Sequence, residues 1–181
     1  KLLERMKLRR VAKLDWEVKK VPLYIDSEGE HVQLKNKFAI VRDEVGGTPP
    51  SALGVVGRDY VPLQNRDAFG WFDSVVGEGA AVYHTAGALR EGRRVWILAK
   101  LPGSIRVVGD DVTDKYLLLC NNHDGQGSVN LRLTPIRVVC QNTLSMALKS
   151  TKGVKVGHNR KLYGNLELAA FNMGIVRAQY S

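Results

Sequence analysis

The sequence predicts an α+β domain built around an antiparallel sheet. Three observations lead there. Strand-like segments alternate in character, as in Val95, Ile97, Ala99 and Leu101 against Trp96, Leu98 and Lys100. One helix-periodic stretch (Ala68, Phe69, Phe72, Val75, Val76) separates the first strands from the main β region. Two more helical stretches follow the last strands. Strands, a helix, antiparallel strands and then helices are the order of an α+β fold, with the C-terminal helices packed on the sheet.

Taken in order, Lys1 to Leu14 reads as a short basic helix without a clean apolar face. Residues 1–15 are therefore set apart as a basic N-terminal segment, and 16–181 as one α+β domain. Trp16 to Tyr24 alternates and contains Pro22, which suits an edge strand. Ser27-Glu28-Gly29-Glu30 is a turn, and His31 to Val45 continues as a strand centred on Phe38-Ala39-Ile40-Val41. Gly46-Gly47-Thr48-Pro49-Pro50-Ser51 is the strongest loop signal. Leu53 to Leu63 is predicted as a strand. Asp67 is expected to cap the first helix, which Gly77 and Gly79 would end. Ala81–Leu89 and Arg93–Leu101 form a hairpin across Glu91-Gly92. Ile105 to Val108 is a short strand before the acidic turn Gly109-Asp110-Asp111. Lys115–Asn121 and Ser128–Thr134 flank Asn122-His123-Asp124-Gly125-Gln126-Gly127. Helices are predicted over Asn142–Lys149 and from about Lys161 to Val176.

Charge is unevenly placed along the 181 residues. The net charge is +9, yet residues 1–20 carry eight basic and three acidic residues, and 149–181 carry six and one. The span 21–148 is close to neutral. Basic ends favour polyanions, because each phosphate neutralised releases counterions. No apolar run approaches 18 residues and Lys1 to Lys20 lacks an apolar centre, so neither a membrane helix nor a signal peptide is expected. The two cysteines, Cys120 and Cys140, form no CxxC pair and read as buried residues of apolar strands in a reducing cytosol.

Enzymatic motifs are absent: there is no phosphate-binding loop, nucleophile elbow or zinc-protease helix. The chain is expected not to be an enzyme and to need no cofactor. His123 beside Asp124 is the one acid–base candidate, and a metal held by Cys120, Cys140 and His123 is the one metal candidate. Turn chemistry explains the first and burial the second more simply. The polyanion-facing candidates are more numerous. Arg58, Tyr60 and Arg66 surround Gln64-Asn65-Arg66, which enters a helix N-terminus. Trp96, Lys100 and Arg132 put cations and an indole on the outward face of the predicted sheet, together with Arg90, Arg93, Arg94 and Arg106. Arg137 lies between Ile136 and Val138-Val139, where a buried guanidinium would need a carboxylate, a carbonyl cluster or a phosphate.

Four segments together resemble a family of phage- and plasmid-encoded proteins known as a domain of unknown function, DUF932. They are Val56-Gly57-Arg58-Asp59-Tyr60-Val61-Pro62-Leu63-Gln64-Asn65, Ala86-Gly87-Ala88-Leu89-Arg90-Glu91-Gly92-Arg93-Arg94-Val95, Asn122-His123-Asp124-Gly125, and Thr134-Pro135-Ile136-Arg137-Val138-Val139-Cys140-Gln141-Asn142-Thr143-Leu144. They run in order within residues 16–175. The family usually extends further, which implies a chain truncated at its C-terminus. The family name carries no chemistry, but its gene setting resembles early phage and plasmid genes, where replication and recombination functions are common. In outline the fold is also similar to the core of ring-forming single-strand annealing proteins, and Asn65…Phe69-Gly70-Trp71 resembles their first-helix entry. These resemblances imply a cytoplasmic protein of a bacterial host that binds single-stranded DNA as a homo-oligomer, ring or filament. Its nucleic-acid-binding residues would be Arg58, Tyr60, Arg66, Trp96, Lys100, Arg132 and Arg137. A nucleic-acid- or nucleotide-acting enzyme using the His123-Asp124 turn, and a non-enzymatic regulator of a host factor, are the other two readings.

Overall fold

The fold is known from a computed structural model that describes residues 2–44, 46–76, 81–106, 112–150 and 153–173. The chain runs α1 (Leu2–Val11), β1 (Val18–Ser27), β2 (Glu30–Arg42), β3 (Ser51–Gly57), α2 (Asn65–Val76), β4 (Val82–Leu89), β5 (Arg94–Arg106), β6 (Val112–Asn122), β7 (Val129–Thr134), α3 (Gln141–Ser150), β8 (Gly153–Val156) and α4 (Leu162–Asn172). The predicted α+β class is what is observed. The predicted stop of α2 at Gly77 and Gly79, the acidic turn at Gly109-Asp110-Asp111 and the end of the last helix at Val176 lie outside the described residues.

The strands form two antiparallel sheets, β1-β2-β3 and β4-β5-β6-β7-β8. β3 ends at Gly57, opposite Lys37, earlier than the predicted Leu63. From there Arg58 to Gln64 crosses to α2, which carries the chain to the second sheet. The turn between β1 and β2 places Glu28 and Gly29 at φ 50° and 83°. Two successive positive φ values match the twist of a two-residue hairpin.

The five-stranded sheet is covered on both faces. Val95, Ile97, Ala99, Leu117, Leu119, Val129 and Leu131 face a large core shared with α2, α4 and the three-stranded sheet. Trp96, Leu98, Tyr116, Leu118 and Cys120 face a smaller core closed by Val138, Leu144 and Ala147. The alternation in β5 was therefore legible, but its second face is not solvated: α3 and the segment leading into it lie on it. Trp96, expected on an outward surface, is 6 % exposed, and Arg132 is 9 % exposed. Neither presents a surface for stacking or phosphate contact.

The junction before α3 also differs from expectation. Val138 is buried while Arg137 and Val139 are exposed, so Arg137 needs no internal counter-charge. Cys140 is exposed rather than set in a strand. It precedes α3, and its carbonyl accepts from Leu144 N at 3.0 Å. Thr143 Oγ1 accepts from Val139 N and Cys140 N at 2.9 and 3.1 Å and so ties the first turn of α3 back onto its lead-in.

Burial of Trp96 gives a stability expectation. Trp96→Ala should destabilise by about 3–5 kcal/mol in urea denaturation, as for other large aromatic truncations in cores. A change within about 0.5 kcal/mol would mean a solvated indole.

Candidate nucleic-acid interface

Two motifs that stood far apart in sequence meet in space. The Asn121–Gly125 turn of the large sheet packs against β3 of the small one and against the crossing segment before α2. Backbone approach there is so close that a Cβ on Gly54 would overlap the Asp124 carbonyl group. Polar side chains inside the junction bond mainly to main chain, although Asn121 Oδ1 and His123 Nδ1 find no partner there. Asn121 Nδ2 donates to Leu63 O at 3.0 Å. Asn65 Nδ2 donates to Leu14 O at 3.4 Å, which leaves Asn65 Oδ1 to accept from His123 Nε2 at 3.0 Å. His123 N donates to Arg93 O at 2.7 Å, and Arg93 Nε donates across to Leu53 O at 3.1 Å. Gln64 closes the other side by bonding both Val18 N and Val18 O.

This geometry decides the role of His123. The side chain has 0 % exposure, packs 5.3 Å from the Trp16 ring and bonds Asn65 rather than Asp124. Asp124 Oδ1 instead accepts from Gln126 N at 2.9 Å, an ordinary Asx turn. The expected acid–base pair is thus not formed. Burial, and then the charge of His158, lower the His123 pKa to about 3, which favours the neutral ring; because Asn65 Nδ2 is spent on Leu14 O, the bond to Asn65 Oδ1 puts the ring proton on Nε2. Among the described residues no group of three or more His, Cys, Asp or Glu is arranged to hold a metal. Gln64 and Asn65, expected to open an anion-binding helix entry, are engaged with Val18 and with Leu14 and His123.

Above the junction the crossing segment meets the loop between β8 and α4. Val61 N donates to His158 O at 3.2 Å, and His158 Nδ1 donates to Val61 O at 3.0 Å. The Tyr60 ring stacks on His158 at 4.6 Å and 17°, and its hydroxyl donates to Asn122 O at 3.1 Å. Burial, then the Asp124 charge, raises the Tyr60 pKa; burial lowers that of His158. Tyr60 is therefore a strut between the two sheets, with one ring face already covered.

Around this strut the surface is basic. Lys20 Nζ donates to Arg58 O and to Tyr60 O, the second at 3.1 Å, and stands 4.7 Å from the Phe38 ring. Lys37 lies opposite Gly57 in the ladder, beside exposed Arg58. Arg160, paired with Asp59 at 3.2 Å, and exposed Lys161 come from the other loop. Lys20, Lys37 and Arg58 thus lie on one side of this clasp, and Arg160, paired with Asp59, and Lys161 on the other. Of these only Arg58 was singled out from the sequence. The basic 149–181 segment pointed to Arg160 and Lys161, but no local pattern links them to a loop about 100 residues earlier.

The remaining candidates fall elsewhere. Arg66 is exposed, pairs with Glu17 at 3.1 Å, and rims a groove of about 450 Å³ with Arg5, Trp71, Tyr163 and Leu166. Lys100 pairs with Asp114 at 3.0 Å. It and Arg137 flank His84, whose pKa is lowered by burial and then by those two charges. Lys100 lies six residues along β5 from Arg94, which bonds the Asn122 side chain at 3.1 Å. At about 3.3 Å per residue that separates Lys100 from the Arg58 end by roughly 20 Å. The expected helix entry is thus divided, with Arg58 and Arg66 in different places, and Lys100 and Arg137 lie together apart from both.

The neutral, buried His123 sets a pH dependence. Its folded pKa lies below the ordinary 6.5, so the unfolded chain binds a proton that the fold excludes. The stability it contributes is complete above pH 6.5 and falls as pH drops toward 3. Urea denaturation at pH 7.5, 5.5 and 4.5 should show this loss. His123→Gln should be less stable at pH 7.5 by about 1–3 kcal/mol, with a shallower decline toward acid.

No helix among the described residues is long and apolar enough to cross a membrane. No curated protein and no solved structure matches the chain. A family model described as a domain of unknown function (DUF932) matches residues 52–181, from within β3 onward and including the junction, the Arg58 loop and the β8–α4 loop. On that match, which covers well over half of its length, the chain belongs to the DUF932 family.

Proposed function

We propose that the protein binds single-stranded DNA through phosphate contacts at the basic end formed by Lys20, Lys37, Arg58, Arg160 and Lys161, and that it acts as an oligomer in strand annealing during phage or plasmid recombination. The observation that carries this reading is the placing of five cations from four segments (β1, β2, the β3–α2 crossing segment and the β8–α4 loop) around one clasped pair of loops. A solubilising charge has no reason to converge, whereas a phosphate backbone is bound by closely set cations. Tyr60 supports the reading indirectly, since its bond to Asn122 and stack on His158 fix the loop that presents Arg58. Lys100 and Arg137 form a second candidate contact about 20 Å away, within reach of the same strand after a few nucleotides. Such a protein would work in the cytoplasm of a bacterial host.

Fluorescence anisotropy with a labelled oligothymidylate across a salt series tests this. Three or four phosphate contacts should give a log–log salt slope of about −2 to −3. Arg58→Ala combined with Arg160→Ala should weaken binding severalfold and reduce the slope, while Arg66→Ala should leave both nearly unchanged. Absence of binding, a salt-insensitive affinity, or a double variant indistinguishable from the parent would overturn the proposal.

A further inference from the structure

The hairpin of β1 and β2 outruns its sheet. β3 pairs with β2 only from Lys37 to Arg42, so beyond Lys37 the ribbon has two strands and no third. From Tyr24 to Lys37 every side chain is exposed. Pairing continues to the tip through Tyr24↔Gln33, Ile25↔Val32, Asp26↔His31 and Ser27↔Glu30. Directly opposed residues share a face, so Ile25, Val32 and Leu34 form an apolar stripe on one side of the ribbon. They are 46 %, 44 % and 38 % exposed. A free two-stranded ribbon is marginal in water, and an uncovered stripe adds nothing to its stability.

Charge along the arm is polarised. Glu28 and Glu30 crowd the tip, where Asp26 faces away from the stripe and pairs with His31, whereas Lys35 and Lys37 lie toward the base, where Lys20 and Arg58 adjoin Lys37. About six residues, or roughly 20 Å, separate the two ends. A two-fold interface must be complementary to itself. Two such arms laid antiparallel satisfy that condition: each acidic tip meets the partner's basic base, and the two stripes meet in the middle.

We propose that the arm is a homodimerisation element that pairs with the arm of a second copy of this chain. The arm lies outside the segment matched by the family model, which begins at Ala52. The inference does not rest on the DNA reading, because it is tested without DNA.

Sedimentation equilibrium from about 1 to 100 μM protein should show a monomer–dimer equilibrium. A tip-reversed chain (Asp26→Lys, Glu28→Lys, Glu30→Lys) and a base-reversed chain (Lys35→Glu, Lys37→Glu) should each self-associate at least tenfold more weakly. Mixing the two should restore a dimer, since one arm is then wholly basic and the other wholly acidic. Ile25→Asp with Val32→Asp should also give monomer. All positions changed are exposed, and far-UV circular dichroism verifies that each variant remains folded. A wild-type chain that stays monomeric, including one whose arm becomes ordered only on adding oligonucleotide, would overturn the proposal. So would a dimer indifferent to both charge reversals, or a mixture that fails to associate.

Discussion

A polar turn buried between two sheets is the constraint on which the rest of this structure depends. Asn121, Asn122 and His123 end β6 inside the molecule, where every donor and acceptor left unpaired costs about 1–3 kcal/mol. Their partners are supplied by segments remote in sequence: Leu63 O, Asn65 Oδ1 and Arg93 O. A neutral histidine fits this place because Nε2 donates to Asn65, while His123 Nδ1 and Asn121 Oδ1 are the two buried polar atoms of the turn that find no partner among the described residues. The same requirement fixes the path of the chain from β3 to α2. Gln64 must reach Val18, and Asn65 must face inward, so α2 starts two residues before the Asp67 expected to cap it.

The loops that carry the candidate interface are consequences of that arrangement. With Leu63 and Asn65 anchored, the preceding residues are held over Asn122, and Tyr60 bridges the gap. His158 then has a ring to stack on and a carbonyl to bond, which brings the β8–α4 loop alongside. Lys20 completes the clasp from β1 by capping the Arg58 and Tyr60 carbonyls. Charge at this end of the molecule is thus held by neutral packing beneath it. The near-neutral middle of the sequence builds the scaffold, while cations from the first strand and the basic C-terminal segment are brought to its surface.

Much of this was legible in the sequence where the signal is local. The periodicity of Ala68, Phe69 and Phe72, the Glu28-Gly29 turn and the alternation of β5 each report the immediate neighbourhood of a residue, and each holds. What covers a face is not local. Trp96 alternates as an outward residue would, but α3 returns to lie on it. Arg137 looked enclosed by apolar neighbours, yet strand-like alternation sends it outward and Val138 inward. The division into two sheets was missed because β3 and β4 both read as strands, and only the pairing of β3 with β2 alone separates them. β8, with four residues, is too short for a periodic signal. Asn65 and His123 were noticed as motifs, but their contact spans 58 residues and no spacing rule joins them.

The ionisation and tautomer of His123 test the central claim most directly. Nitrogen-15 chemical shifts of the ring, followed from pH 8 to pH 4.5, distinguish a buried structural imidazole from an accessible base. The buried junction requires a neutral ring protonated on Nε2 throughout that range. Titration near pH 6.5, or a proton residing on Nδ1, would contradict the junction and with it the placement of every loop built above it.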